Sequence, residues 1–470
     1  MRDASPASLS MKKIHIIGGG LAGPEAALQA ASLGCQVTLS EMRPLRSTEA
    51  HQTGDFAELV CSNSLKSESE NTAPWLLKQE MRRAGSFLLQ AADASAVPAG
   101  HALAVDRLQF SRRVADLIAS QPRIEVHREE VTSLRREDEV ITVLASGPLT
   151  SSPLADELQS LTGAGHLAFY DSISPIVDAA SIDMEKVYFA ARWNKGSADY
   201  VNCPFTKEEY DAFLDALTNA KTVETHDSDK AWEPLSSDSA PSLTPPAYFE
   251  GCLPIEELAR RGRDTLRFGP MKPAGLTHPK TGRWPYAVVQ LRQENLRADS
   301  YNLVGFQNHL RFGEQARVLR MIPGLEHAVF LRYGQIHRNT YIQAPVLLQE
   351  TLQLRSHPGI LIAGQLSGVE GYTESIASGL LAGRFAAALA HGTRPVPAPR
   401  LTANGSLTHY ITHAEAKRFQ PANITFDLLP PLEEELRRRV RDKKERHRIQ
   451  CERALAAWEQ WLAATALHPR

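Results

Sequence analysis

Six consecutive residues, Gly18-Gly19-Gly20-Leu21-Ala22-Gly23, match the spacing G-x-G-x-x-G between a short apolar run and an Ala-rich stretch. That pattern suits the holding of a diphosphate. The first glycine permits a tight turn, the second lets phosphate oxygens approach backbone N–H groups at a helix N-terminus, and the third lets helix and strand pack closely. Glu41 closes the next apolar run, near the distance at which a carboxylate accepts a ribose hydroxyl. A bare glycine motif is weak evidence; strand, helix and acid in register are a much stronger signal. The competing reading is a Gly-rich surface turn followed by an unrelated acid.

A second signal lies towards the other end of the chain, where Leu361-Ile362-Ala363-Gly364-Gln365 ends a strand and Gly368-Val369-Glu370-Gly371-Tyr372 leads into a helix. Backbone amides and a second helix N-terminus there suit an extended dinucleotide. Two nucleotide contacts so far apart favour FAD over a lone nicotinamide nucleotide. Leu144-Ala145-Ser146-Gly147-Pro148 resembles a third landmark of two-domain flavoproteins, or is an ordinary strand-loop junction. Among five cysteines, Cys61 stands in a polar loop, Glu58-Leu59-Val60-Cys61-Ser62-Asn63-Ser64-Leu65-Lys66, and Cys252 lies between Gly251 and Leu253-Pro254. As a thiolate near a flavin, Cys61 can act as a nucleophile, its pKa lowered by Lys66 or a helix N-terminus; the alternative for either thiol is a small buried hydrophobe. Cys35, Cys203 and Cys451 are assigned to packing.

Basic and aromatic residues alternate around Arg283, Arg292, His309, Arg311 and Arg338. Such segments can hold phosphates and stack planar rings, or can simply be exposed strands. No second G-x-G-x-x-G marks a nicotinamide domain, so a nicotinamide nucleotide would stack on the flavin itself. No His/Cys/Asp cluster with metal-ligand spacing is read, and no metal is expected.

The elements that must position these groups form an α/β pattern. A strand over 12–17, a helix over 21–33 and a strand over 35–41 make one β-α-β unit. A long polar loop covers 42–64; helices are expected over 75–92 and 108–120, strands over 124–127 and 140–145. From about 176 to 335 the texture changes, with a Ser/Pro-rich segment over 227–246, and the nucleotide-fold pattern returns with a strand over 359–364 and a helix over 374–390. The expected fold is a discontinuous Rossmann-like FAD-binding domain (11–175 and 336–395), an inserted α+β domain (176–335) and a C-terminal helical tail (396–470), whose charged helix over 432–462 reads as a solvated face. The 470 residues carry a formal net charge of −2, with 52 Lys+Arg against 54 Asp+Glu. This gives no global field for nucleic acid, so any such contact must come from local patches. The absence of a long apolar run and of an apolar leader core makes a soluble, cytoplasmic protein the expectation.

With these residues in hand, the chain resembles the bacterial folate- and FAD-dependent tRNA (uracil-5-)-methyltransferases. The resemblance rests on IHIIGGGLAGPEAA, FAELVCSNSLKS, YFEGCLPIEELA, RWPYAVVQLRQEN, GFQNHLRFGEQARVLRMIPGLE and LIAGQLSGVEGYTESIASGLLAG, and runs from about Lys12 to Ala390. The related wobble-uridine tRNA-modification flavoprotein shares the nucleotide turn but is not expected to carry the Cys-Ser-Asn-Ser loop with the Gly-Cys-Leu-Pro turn. The resemblance implies methylation of the T-loop uridine of tRNA at C5, with 5,10-methylenetetrahydrofolate as carbon source and FAD, reduced by NAD(P)H, completing the methyl. It implies Cys61 as nucleophile and Cys252 as the group assisting proton removal, with the roles exchangeable. It makes Arg283, Arg292, His309, Arg311 and Arg338 candidates for tRNA phosphates or the folate tail. The alternatives are the wobble-uridine enzyme, a small-molecule flavin oxidoreductase, or an RNA-binding scaffold with a structural flavin.

Overall fold

The computed structural model describes residues 12–48, 50–134, 140–163, 167–194, 197–223 and 253–467. Its strands are β1 Lys13–Ile17, β2 Val37–Glu41, β3 Ser64–Ser67, β4 Ala96–Val97, β5 Ala102–Val105, β6 Ile124–Arg128, β7 Val140–Leu144, β8 Leu167–Ser172, β9 Ile176–Asp178, β10 Tyr188–Ala190, β11 Tyr200–Phe205, β12 Ala287–Gln293, β13 Ser300–Leu303, β14 Phe330–Arg332, β15 Ile336–Tyr341 and β16 Ile360–Ile362. The helices that matter below are α1 Ala22–Ser32, α2 Ala73–Arg83, α3 Phe87–Asp93, α4 Arg107–Ala119, α5 Lys207–Thr218, α6 Tyr372–Ala390, α7 Ala403–His413 and α8 Lys443–Ala464.

A parallel sheet in the order β16-β7-β1-β2-β6 forms the first layer. Ile14, Ile16, Leu39, Val143, Leu361 and Ile362 are buried, because helices and irregular segments cover both faces of a parallel sheet. Helix α1 is rich in alanine for a geometric reason. A Cβ at Gly379 or Gly383 of α6 would lie 2.3 Å from the Ala22 oxygen or 2.5 Å from the Ala26 oxygen, so α6 lies backbone against backbone on α1. Ala22, the first residue of α1, therefore lies beside Gly379, about two turns into α6.

A second sheet, β10-β11-β12-β13-β9-β14, is antiparallel and has its own apolar core, in which Phe205, Phe213 of α5 and Phe306 are buried. That core draws on residues between Val177 and Ala328, whereas the first draws on residues on both sides of this stretch. Strands β8 and β15 pair antiparallel, Leu167 with Tyr341 and Ser172 with Ile336, so the two connections between the cores run together as a ribbon.

Two expected helices are interrupted. The one over 75–92 breaks because Gly85 takes φ +73° and Ser86 caps a new helix, its Oγ accepting from Leu89 N at 3.3 Å. The one over 432–462 breaks where Val440 is extended and Asp442 caps α8. The solvated reading holds only for the charged start of this region. Cys451, Ala454, Leu455, Trp458 and Trp461 of α8 are buried against the first core, and Trp458 Nε1 donates to the Glu80 carbonyl at 2.6 Å. No helix among the described residues is long and apolar enough to cross a membrane. The Ser/Pro-rich segment and Cys252 lie outside the described residues.

Candidate active site

The glycine turn sits between β1 and α1. Gly18 has φ +114°, and a Cβ there would meet the Ala145 oxygen at 2.4 Å; at Gly23 it would meet the Gly18 oxygen at 1.8 Å. A Cβ at Gly20 meets nothing within 4 Å. The turn is thus closed towards the protein and open at Gly20, and Leu21, the residue that begins α1, gives no side-chain cap to the amides behind it. Open space over free helix amides fits a ligand diphosphate. The junction Leu144–Pro148 comes to the same place, since Ala145 N donates to Ile17 O at 2.8 Å.

Glu41 ends β2 beside this turn. Its Oε2 accepts from Gly19 N at 2.5 Å, and its Oε1 accepts from Arg43 N and Arg43 Nε, both at 2.9 Å. Burial works against ionisation of Glu41, yet the buried Arg43 guanidinium and these hydrogen bonds hold its pKa below the usual carboxylate value. A small cavity of about 40 Å³ opens here, bordered by Gly18, Glu41, Glu130, Val131, Ser146 and Leu154.

The second nucleotide segment meets the first. Gly364 (φ +72°) follows β16, its N–H donating to Ser378 Oγ at 2.8 Å, and a Cβ on it would touch Ala22 Cβ at 3.1 Å. Gly368 has φ +92°, and Gln365 Nε2 donates to Glu370 Oε2 at 2.6 Å. Gly371 (φ +108°) precedes α6 without a side-chain cap; a Cβ there would strike Lys66 Nζ and Glu374 Oε2, each at 2.6 Å. Neither α1 nor α6 carries a side-chain cap at its start.

Cys61 is partly exposed. Its N–H donates to the Tyr372 hydroxyl oxygen at 2.7 Å, as does Ser62 N at 3.2 Å. Burial first, and the nearby Cys61 thiol second, push the Tyr372 phenol up, so it stays neutral at physiological pH. The Cys61 carbonyl accepts from Arg107 Nη2 at 3.3 Å, and Arg107 is ion-paired with Glu294 and also donates to Leu59 O. Lys66 is engaged elsewhere, donating to Glu374 Oε1 at 2.6 Å and Asn423 Oδ1 at 2.8 Å. The cations whose fields reach the Cys61 sulfur are instead Arg107 and Arg332.

Asn63 ties this loop to the antiparallel sheet. Fully buried, it donates Nδ2 to Val105 O (3.0 Å) and Gln293 O (3.1 Å), and its Oδ1 accepts from Arg292 Nε (2.9 Å) and Asn302 Nδ2 (3.3 Å). Between the loop and the sheet lies a cleft of about 630 Å³, bordered by Glu58, Leu59, Arg107, Arg112, Glu294 and Arg332 among others. Of the basic residues singled out in the sequence, Arg283 and Arg311 are exposed. Arg292 is buried on Asn63, and His309 is buried with Nδ1 2.6 Å from Glu256 Oε1, so both face inward. For Arg338 the backbone alone is described, in β15 opposite Tyr170. Sequence reasoning missed Asn63, Arg107, Glu294 and Arg332 as part of this site. Asn63, Glu294 and Arg332 stood inside segments already singled out, while Arg107 carried no local signal.

Comparison with known proteins agrees with this geometry. The family model described as Glucose inhibited division protein A matches residues 13–394. The chain is 65% identical over 455 residues to the methylenetetrahydrofolate--tRNA-(uracil-5-)-methyltransferase TrmFO of Koribacter versatilis, covering 97% of this chain and 99% of that protein. It is 52% identical to the protein of the same name from Enterococcus faecalis, covering 94% and 97%. Its fold is similar to a crystal structure of Aquifex aeolicus GidA, with a TM-score of 0.68 at 16% identity, covering 98% of this chain and 75% of that one. The chain therefore belongs to the Glucose inhibited division protein A family, among its methylenetetrahydrofolate--tRNA-(uracil-5-)-methyltransferase members.

Proposed function

We propose that this chain methylates a uridine of tRNA at C5, the T-loop uridine, taking the carbon from 5,10-methylenetetrahydrofolate. The observation that carries the reading is the near-full-length identity to enzymes named for that reaction. The two glycine segments fit FAD: Gly18 to Gly23 and Gly364 to Tyr372 supply the amides and the close approach, and Glu41 the ribose end. When bound, FAD reduced by NAD(P)H supplies the reducing equivalents that turn the transferred methylene into a methyl.

Uracil C5 becomes nucleophilic only after a thiolate adds to C6. Cys61 takes that role in this reading, with its backbone pinned by Tyr372 and Arg107. C5 then attacks the methylene carbon, a base removes the C5 proton, the bond from that carbon to the folate nitrogen breaks so that tetrahydrofolate leaves, and once the carbon has taken up the reducing equivalents the expulsion of the Cys61 thiolate restores the ring. Cys252 is our candidate for that base. The cleft beside Leu59 is roomy enough for a folate and a flipped-out uracil together, and its guanidiniums suit anionic folate and phosphate groups. A tRNA substrate makes the cytoplasm the place of work.

The test is release of tritium from tRNA labelled at uracil C5, with methylenetetrahydrofolate and NADPH omitted in turn. We expect folate-dependent release and 5-methyluridine in the T loop. A yellow, reducible protein that releases no tritium would overturn the methyltransferase reading while leaving the flavin site intact.

A further inference from the structure

The expectation that no histidine cluster has ligand spacing is corrected on α7. His409 and His413 stand one helical turn apart, with rings stacked at 4.3 Å between centroids and 11° between planes. Glu350 Oε1 is hydrogen-bonded to His409 Nδ1 at 2.8 Å and lies 3.6 Å from His413 Nδ1. A tetrahedral metal with bonds of about 2.0–2.1 Å sets its donor atoms about 3.3 Å apart, between these two values.

Both halves of the cluster are held rigidly. Glu350 lies in a tight turn closed by Gln349 N donating to Gln353 O at 2.9 Å and by Thr351 Oγ1 donating to Gln353 Oε1 at 2.8 Å. Helix α7 is anchored by buried Ala403, Leu407 and Ile411, and its first amides, Ala403 N and Asn404 N, donate to Glu80 at 2.6 and 2.9 Å. Donor atoms on two fixed elements cost little ordering on binding. The three side chains remain 35–49% exposed, which leaves room for water or a further ligand. Glu350 and His413 open on a polar cleft that Gln349, Thr351, Arg355 and Arg394 also border. The remaining contacts of His413 Nδ1, with Thr412 Oγ1 at 2.9 Å and His409 O at 3.3 Å, are weak competitors for a metal.

We propose that Glu350, His409 and His413 form a binding site for a divalent transition metal of the Zn²⁺, Co²⁺ or Ni²⁺ class, separate from the Cys61 site. Two imidazoles with one carboxylate select this class over Mg²⁺ and Ca²⁺, which prefer all-oxygen sets. The site would cross-link α7 to the turn before β16.

The experiment is equilibrium dialysis of Zn²⁺ against tag-free flavoprotein, chelator-treated and with its thiols blocked by N-ethylmaleimide so that cysteine cannot account for uptake. One equivalent bound at micromolar free Zn²⁺ is expected. The double variant His409→Ala/His413→Ala should lose that equivalent, with affinity down at least about 100-fold, while Glu350→Gln weakens it about 10-fold. Flavin content and metal-free melting temperature should be unchanged, since all three groups are partly exposed. Equal uptake by wild type and double variant, or no uptake at 100-fold higher Zn²⁺, would overturn the proposal.

Discussion

The Tyr372 hydroxyl oxygen accepts the amide hydrogen of Cys61 at 2.7 Å, across 311 positions of sequence, and that of Ser62 at 3.2 Å. One residue at the start of α6 thereby sets where the Cys61 turn stands. Replacing Tyr372 by Phe leaves two amides without their acceptor, at about 1–3 kcal/mol for a buried group. We expect Tyr372→Phe to retain FAD, read from its visible absorbance, and to lose at least about 10-fold in single-turnover methyl transfer. Unchanged transfer would remove Tyr372 from the positioning of Cys61.

Cys61→Ala and Cys252→Ala should each abolish methyl transfer while leaving the protein yellow, because neither sulfur is needed to hold the nucleotide in our reading. Full activity in either variant removes that residue from the mechanism.

Gly20 and Gly23 should separate ligand binding from folding. At Gly23 an added methyl collides with the Gly18 carbonyl, whereas at Gly20 it enters open space. Gly23→Ala is therefore expected to lower both the melting temperature of flavin-free protein and its flavin affinity. Gly20→Ala should leave that melting temperature within about 1 °C and weaken FAD at least about 10-fold, because the methyl occupies the path of the diphosphate. Equal flavin affinity in Gly20→Ala and wild type would show that the diphosphate does not cross this residue.

Asn63 joins the Cys61 loop to β12 and β13 through three hydrogen bonds and to Val105 of β5 through a fourth, all made in full burial. Asn63→Ala strands the Arg292 guanidinium and two carbonyls, a loss of about 2–4 kcal/mol. A melting temperature several degrees lower is expected by calorimetry of the flavoprotein; a change below 1 °C would mean the interface has other supports.

Buried Glu25 gives stability a pH dependence. Burial, opposed by hydrogen bonds from Leu88 N (2.8 Å) and Gln29 Nε2 (3.0 Å), pushes its pKa up to about 7 from 4.5. Below about pH 4.5 the group is protonated in both states and costs nothing. Between there and about pH 7 the unfolded chain releases its proton while the folded chain keeps it, so stability falls as pH rises, by about 3 kcal/mol in all, and then levels. Glu25→Gln should remove this contribution, with the variant gaining on wild type from pH 5 to 7.5 in parallel melts. A constant difference across that range would show that Glu25 is ionised throughout. Glu80, also pushed up to about 7 by burial, adds a slope of the same sign that the variant retains.

The parts of this molecule legible in sequence are those written in local spacing. The glycine turn, the Ala-rich α1 and Glu41 at the close of β2 follow from a strand, a turn and a helix that must fit one another within about 30 residues. The second glycine segment and the start of α6 follow in the same way, as does the change of texture between the two cores. The break at Gly85 is hidden because apolar residues continue on both sides of it, and the one at Asp442 because it falls inside a continuous run of charged, helix-forming residues.

Partnership was decided only in three dimensions. Sequence marks Arg292 and His309 as basic residues among aromatics, but the fold turns both inward, onto Asn63 and Glu256. It offers Lys66 to Cys61, yet Lys66 is engaged by Glu374 and Asn423, and the charges near the sulfur come from Arg107 and Arg332. It brings Glu350 to His409 and His413 across 59 positions, for which no spacing rule exists. The physical reason is common to all of these. A helix or turn is specified by neighbours in the chain, whereas a buried charge or amide takes whichever complementary group the packing of distant elements sets within about 3 Å, because leaving it unpaired costs more than any local preference can offset.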